Sequence, residues 1–230
     1  MNLLVQQENF ILASQTALED LANKQSARVL VVSDSHENFN VLFDIIETFG
    51  SSCDAFVFCG DGIEDVAVLI GKAFNDKKTK FYLPNVIAFC RGNCDAENYP
   101  LDFASTDENR ENDAKILKCP FSEEFIAAGR KIFVTHGHKY GITSSVDSLL
   151  SKATEKNSDI VFYGHTHVPH CEEINGILFL NPGSCSMPRS TDIPSFAIVE
   201  FPGVTERFDV EFFGIQSGPF GKNSFYRANF

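Results

Sequence analysis

The 230-residue chain has a formal net charge of −12 at pH 7 and a hydrophobic fraction of 43%. This length and apolar content allow one substantial core, so we expect a single α/β domain and exclude chain-wide disorder. The negative charge disfavours long nucleic acids and anionic membranes as partners. It does not exclude a small phosphate ester, because the field is screened within about 10 Å and a local site can be positive.

The cysteine content indicates a reducing compartment. The seven cysteines show no CxxC spacing, and several lie in apolar runs such as Val57-Phe58-Cys59. We interpret them as free thiols of a cytoplasmic protein. The first apolar stretch contains Glu8 and follows no basic segment, which is not typical of a secretory signal. No run approaches the ~20 apolar residues that cross a membrane.

The N-terminal residues 1–27 are predicted to form an amphipathic helical extension. Apolar side chains between residues 3 and 21 recur at roughly helical spacing, separated by Glu and Gln. The polar face is not basic, so we expect packing on the domain or on a second copy rather than on a membrane.

Five short apolar runs are predicted to be buried strands, with helices over about 39–49, 64–73 and 146–153 between them. The runs are 29–32, 55–59, 86–90, 132–134 and 161–163. Each ends in a polar cluster. The C-terminal ends of strands in open α/β sheets converge on one edge, where ligands bind. We therefore expect these clusters to form one site.

The remaining segments are of other types. Residues 96–115 are polar and acidic without periodicity, which predicts a solvated loop or lid. Asn175-Gly176 predicts a β-hairpin, and the alternation over 204–212 predicts an antiparallel strand. The phenylalanine-rich tail, residues 213–230, and the N-terminal extension leave apolar faces to be covered, so a homo-oligomer is plausible.

The polar clusters together favour a metal centre. Their candidate ligands are Asp34, His36, Asp61, Asn93, His136, His165 and His167. A single histidine after a strand is more often structural, so the hypothesis depends on their joint occurrence. Four imidazoles, two carboxylates and one amide exceed what one tetrahedral ion uses and suit two ions. Nitrogen and oxygen donors favour Mn²⁺, Fe, Co²⁺, Ni²⁺ or Zn²⁺ over Ca²⁺ and Mg²⁺.

An ordered set of motifs carries a family resemblance. The set is Asp34-Ser35-His36, Gly60-Asp61, Gly92-Asn93-Cys94-Asp95, His136-Gly137-His138, Gly164-His165-Thr166-His167 and Asn181-Pro182-Gly183-Ser184. It resembles the calcineurin-like metallophosphoesterases, in particular the small bacterial and archaeal phosphodiesterases. The resemblance covers about residues 28–212. It implies an α/β fold for that domain, a two-sheet mixed β-sandwich flanked by helices.

The resemblance also implies how two divalent ions would be held. Asp34, His36, Asp61 and His167 would bind one ion, and Asp61, Asn93, His136 and His165 the other, with Asp61 bridging. We expect His165 and His167 to share a direction, because side chains at i and i+2 of an extended segment point the same way. The implied metal is Mn²⁺ first, with Fe, Zn²⁺, Ni²⁺ or Co²⁺ as alternatives.

The implied activity is hydrolysis of phosphodiesters, or of phosphomonoesters, of small substrates through metal-bound hydroxide. The alternative is a non-catalytic metal-binding scaffold for protein partners, like the retromer subunit of this fold. Cys94 stands where many relatives have a histidine thought to protonate the leaving group, and a thiol is the poorer general acid. Cys94 and His138 are therefore both candidate catalytic residues.

One further departure from the family pattern and two arginines leave alternatives open. Glu37 stands where relatives commonly have glycine, and its carboxylate would either repel substrate or point to solvent. Arg91 and Arg189 could contact a phosphate, although a lone arginine is more often exposed or ion-paired.

Overall fold

The computed structural model describes residues 2–101, 115–190, 193–202, 208–218 and 221–230. Within these residues the helices are α1 (Gln15–Ala22), α2 (Phe39–Phe49), α3 (Ile63–Asn75), α4 (Lys77–Tyr82) and α5 (Asp147–Glu155). The strands are β1 (Ser26–Val32), β2 (Ala55–Phe58), β3 (Val86–Phe89), β4 (Asn98–Pro100), β5 (Ile116–Lys118), β6 (Ser122–Ala127), β7 (Arg130–Thr135), β8 (Ile160–Phe162), β9 (Pro169–Ile174), β10 (Ile177–Pro182), β11 (Ser195–Pro202), β12 (Asp209–Ser217) and β13 (Asn223–Ala228).

Two mixed sheets form the body of the domain, as expected. The first has strand order β13-β12-β11-β1-β2-β3 and the second β6-β7-β8-β10-β9. Strands β1, β2 and β3 are parallel, as are β7, β8 and β10. The other pairings are antiparallel, and β4 and β5 form a separate pair.

The core lies in three apolar layers that follow from the alternation of side chains along the strands. On β1, Val29 and Val31 pack between the two sheets, whereas Leu30 and Val32 face α2 and α3. The outer face of the second sheet packs on α5. Both faces of each sheet are therefore covered, which explains why the central strands are continuous apolar runs.

The N-terminal helix prediction is wrong for residues 3–14. Helix α1 begins only at Gln15, where the Ser14 side chain accepts a hydrogen bond from the Ala17 N–H. Before it, Leu12 exchanges backbone hydrogen bonds with Ile87 of β3, with N–O distances of 2.9 and 3.0 Å. Extended pairing beside β3 therefore overrides the local helical spacing. Bridging at this position covers part of the edge of the first sheet.

The loop prediction for residues 96–115 needs a smaller correction. Asn98–Pro100 is a short strand that pairs with Ile116–Lys118, and residues 102–114 lie outside the described residues.

The C-terminal residues are part of the first sheet. Strand β12 crosses the boundary predicted at residue 213, and β13 pairs with it at the sheet edge. Phe213 and Phe225 pack against Phe49 of α2, with ring centres 5.0 and 5.4 Å away. The Asn175-Gly176 hairpin is confirmed, and both residues have positive φ, as a tight turn between β9 and β10 requires.

Among the described residues, no helix is long and apolar enough to cross a membrane.

Candidate metal centre

The polar clusters of β1, β2, β3, β7 and β8 meet at one edge of the sandwich. Asp34, His36 and His167 form one group whose possible ligand atoms lie within 4.8 Å of one another. His167 Nε2 is 3.2 Å from Asp34 Oδ1 and 3.1 Å from His36 Nε2. Asp34 and His167 are buried, and His36 is partly exposed. This group contains donors from both sheets.

Asp61, His136 and His165 form the second group, with possible ligand atoms again within 4.8 Å of one another. His136 Nε2 is 3.3 Å from Asp61 Oδ2 and 4.0 Å from Asp34 Oδ1, so the two groups are adjacent. His165 and His167 thus lie in different groups. They do not continue β8, which ends at Phe162; each has a positive φ, so the argument from an extended segment is wrong.

The other predicted site residues surround these groups. Asn93 is exposed, and its Nδ2 lies 3.3 Å from Cys94 Sγ. Cys94 is also exposed and shares a third potential ligand group with His36 and Asp61. The His138 ring centre is 5.3 Å from that of His136 and 6.2 Å from that of His165.

The donors at this edge fit divalent ions. Asp34 Oδ1 and His136 Nε2 are buried and have no hydrogen-bond partner of acceptable geometry. His136 Nδ1 lies 2.7 Å from the Cys59 carbonyl and His167 Nδ1 lies 2.6 Å from the Met187 carbonyl. A carbonyl only accepts, so Nδ1 carries the proton and the Nε2 lone pair faces the cluster. Such backing of the distal ring nitrogen is typical of metal-binding histidines.

The pKa shifts reflect how closely the carboxylates and imidazoles lie together. Burial raises the pKa of Asp61, but the His136 ring and the Cys94 N–H outweigh burial and lower it. Burial lowers the pKa of His136, but the Asp61 and Asp34 carboxylates raise it by more than burial lowers it, so the net shift is upward. His165 has the opposite balance, since burial and His136 lower its pKa. A cation between the carboxylates and imidazoles satisfies both sets without protonation.

The backbone at the site is strained. Asp34, His36, Glu37, Asp61, His165 and His167 all have positive φ, between 44° and 71°. This region is uncommon for residues other than glycine and costs roughly 1–2 kcal/mol for each one. All but one of these residues are predicted ligands, and such a concentration of strain indicates a functional site.

Asp95 is a site residue that the sequence analysis did not identify. Its carboxylate accepts four backbone N–H groups, those of Asp61, Gly62, Ile63 and Gly92, at 2.7–2.9 Å. It thus ties the loop after β2 to the loop after β3 and caps α3. The signal available was its place in the Gly92-Asn93-Cys94-Asp95 motif.

Serine hydroxyls fix the loop after β1. Ser184 Oγ donates to the Asp34 carbonyl and Ser186 Oγ to the Ser35 carbonyl, both at 2.7 Å. Ser33 Oγ lies 2.5 Å from Asp34 Oδ2, so Asp34 is held through its main chain and one carboxylate oxygen. Its other oxygen remains available.

An open cleft of ≈ 300 Å³ adjoins the first group. Its lining includes His36, Cys94 and Tyr99, together with the carboxylates of Glu37 and Glu64. A small molecule has access to the candidate ligands from this side.

The fold and the site together define a mixed α/β sandwich with a candidate metal centre at one sheet edge. The family model for the calcineurin-like phosphoesterase superfamily domain matches residues 28–203. The chain belongs to this superfamily, as the motifs indicated. Residues 1–27 precede the match, and their assignment as an extension of the domain stays a prediction.

Two curated relatives match over most of their lengths. The probable metallophosphoesterase YsnB of Bacillus subtilis is 30% identical over 78% of this chain and 89% of its own. The phosphodiesterase MJ0936 of Methanocaldococcus jannaschii is 30% identical over 75% and 92%, respectively.

Two solved structures show the same architecture. A conserved Streptococcus pneumoniae protein described as a predicted phosphoesterase superposes with a TM-score of 0.59 at 25% identity, covering 89% of this chain and 99% of its own. A single mutant of Vps29 from Entamoeba histolytica superposes with a TM-score of 0.57 at 20% identity, covering 88% and 99%. At that identity the second likeness shows the fold alone.

Proposed function

We propose that this protein is a dinuclear metal-dependent phosphodiesterase acting on small substrates. The observation that carries the proposal is the pair of adjacent ligand groups, in which Asp34 Oδ1 and His136 Nε2 are buried without hydrogen-bond partners. Asp34, His36, Asp61 and His167 would hold one ion, and Asp61, Asn93, His136 and His165 the other. Membership of the superfamily and the phosphodiesterase name of one relative support the reaction class.

The chain's own residues position the reactants. Two divalent ions would supply charge stabilisation and an activated water for in-line displacement at phosphorus. Asp61, whose Oδ1 accepts the Cys94 N–H at 2.8 Å, would join the two ion sites. Either His138 or the Cys94 thiol would donate a proton to the leaving oxygen. Small diesters fit the ≈ 300 Å³ cleft.

The finer assignments belong to the proposal as well. Mn²⁺ is the expected metal because the family resemblance implies it first; the nitrogen and oxygen donors also suit Fe, Zn²⁺, Ni²⁺ or Co²⁺. The free thiols in the described residues support a cytoplasmic location.

The test combines metal content with turnover. We expect two ions per chain after loading with Mn²⁺, and chelator-sensitive hydrolysis of bis-p-nitrophenyl phosphate. Asp61→Asn should lower the metal content and reduce turnover by at least about 100-fold, because it removes the shared ligand. Asp20→Asn, an exposed position on α1, is the matched control.

Metal-loaded protein that hydrolyses no phosphate ester would refute the enzyme and favour the alternative, a metal-binding scaffold for protein partners. Full activity of Asp61→Asn would refute the bridged pair.

A further inference from the structure

Two cationic side chains flank the ring of Phe121 beside the metal centre. Lys139 Nζ lies 2.9 Å and the Arg91 guanidinium carbon 3.7 Å from the ring centre. Both cations therefore contact the same ring. We call Arg91, Phe121 and Lys139 the cation stack.

The cation stack retains binding capacity. Lys139 is exposed and has no carboxylate partner among the described residues. Arg91 lies 3.3 Å from Glu97, but the Glu97 side chain is 70% exposed, so that ion pair is weak. Stacking on a ring leaves the in-plane N–H donors of a guanidinium directed outward. An exposed ammonium and a guanidinium whose side chain is 16% exposed therefore lie together in a chain of net charge −12.

The His138 ring lies between the cation stack and the candidate ligands. The Phe121 and His138 ring centres are 6.3 Å apart, and His138 in turn neighbours His136 and His165. The main chain of Arg91 is held beside Phe121 because its backbone N–H donates to the Pro120 carbonyl at 2.8 Å. The cleft beside His36 carries Glu37 and Glu64 instead. Charge around the centre is thus segregated, cationic beside His138 and acidic beside His36.

We propose that the cation stack binds a second anionic group of the substrate, a phosphate or a carboxylate. The preferred substrates are then phosphodiesters in which one alcohol carries a further negative charge. This inference rests on the proposed phosphodiesterase function. Glu37 and Glu64 in the cleft beside His36 repel such a group. The charged alcohol of the bound diester therefore lies toward the cation stack and away from this cleft.

The experiment compares three p-nitrophenyl phosphodiesters with the same leaving group and an ethyl, 2-carboxyethyl or 2-phosphoethyl second ester. We expect KM to be roughly three- to tenfold lower for the charged substrates than for the ethyl ester, with similar kcat, because the added contacts act on binding. High salt should reduce this preference. The carboxylate and phosphate arms separate the two ligand chemistries.

Variants test the residues. The preference for charge is the KM of the ethyl ester divided by the KM of a charged ester. Lys139→Met should lower this ratio severalfold, and Phe121→Leu should lower it because both cations lose the ring that positions them. Lys152→Met, which removes an α5 lysine paired with Glu155, should keep the wild-type ratio. Equal KM values in the wild type, or an unchanged ratio in Lys139→Met, would overturn the inference while leaving the phosphodiesterase function intact. If none of the three esters were hydrolysed, both the inference and the phosphodiesterase function would be refuted.

Discussion

Asp95 shows how one carboxylate organises a site without belonging to its ligands. It accepts four backbone N–H groups from two loops, and one of them is the N–H of Asp61 itself. Loss of Asp95 would therefore move a ligand rather than remove one.

We expect Asp95→Asn to lower the free energy of unfolding by roughly 1–3 kcal/mol, because one amide oxygen cannot replace two carboxylate oxygens as acceptors. Metal affinity should fall with it. Urea unfolding and metal titration measure the two effects. Asp20→Asn is a suitable control, since Asp20 is exposed on α1, away from the site. Equal stability of both variants would contradict the organising role.

Cys94 allows a separate test of the proton donor. Burial and the Asp61 carboxylate raise the pKa of its thiol, so it is a weak acid near neutrality. We expect Cys94→His to accelerate hydrolysis of alkyl phosphodiesters more than that of aryl ones, whose leaving groups need less protonation. An equal effect on both substrate classes would exclude this role and leave His138 as the candidate.

At the scale of elements, β12 and β13 complete the first sheet and its apolar contact with α2. The Phe213 ring is stacked on Phe196 at 5.1 Å and lies 5.0 Å from Phe49. Two of the tail's phenylalanines, Phe213 and Phe225, thus pack within the chain.

Phe213→Ala should destabilise the protein by roughly 3–5 kcal/mol, the usual cost of truncating a buried phenylalanine. Tyr226→Ala on β13, which is 43% exposed, should cost much less. Chemical denaturation of both variants measures the difference. If the two costs were equal, the tail would not be integral to the sheet.

At the scale of the whole molecule, Glu123 links stability to pH. It lies buried on β6, its Oε1 has no hydrogen-bond partner, and burial raises its pKa to about 8. The folded state thus holds its proton more tightly than the unfolded chain, in which the pKa is near 4.5. Its contribution to stability is complete below pH ~4.5 and declines as pH rises through ~8.

We expect Glu123→Gln to flatten the fall in stability between about pH 5 and 8, an effect of roughly a few kcal/mol at most. Denaturation midpoints across that range provide the measurement. Glu172→Gln, at an exposed position on β9, is the control. A parallel pH profile for wild type and Glu123→Gln would show that Glu123 is not buried as the neutral acid.

The central strands and the convergence of their polar clusters could be predicted because they depend on local signals, whereas the two-sheet sandwich is implied by the family resemblance. Central strands covered on both faces are continuous apolar runs, and each ends at its polar cluster. The N-terminal helix prediction is wrong at Leu12, where spacing suggests a helix but the backbone pairs with Ile87 of a neighbouring strand instead. The hydrogen bonds of Asp95 and the contacts of the cation stack join distant loops, and no local pattern encodes those contacts.

The positive φ of Glu37 has a consequence for engineering. Its backbone lies at φ 63°, where glycine is unstrained. Glu37 is outside the proposed ligand set, so this strain can be removed without changing a ligand. Glu37→Gly should raise the free energy of unfolding by up to about 1 kcal/mol, whereas Glu37→Ala keeps the strained backbone and should not. Thermal unfolding of the pair would separate backbone relief from loss of the carboxylate. A gain for both variants would assign the cost to charge repulsion instead.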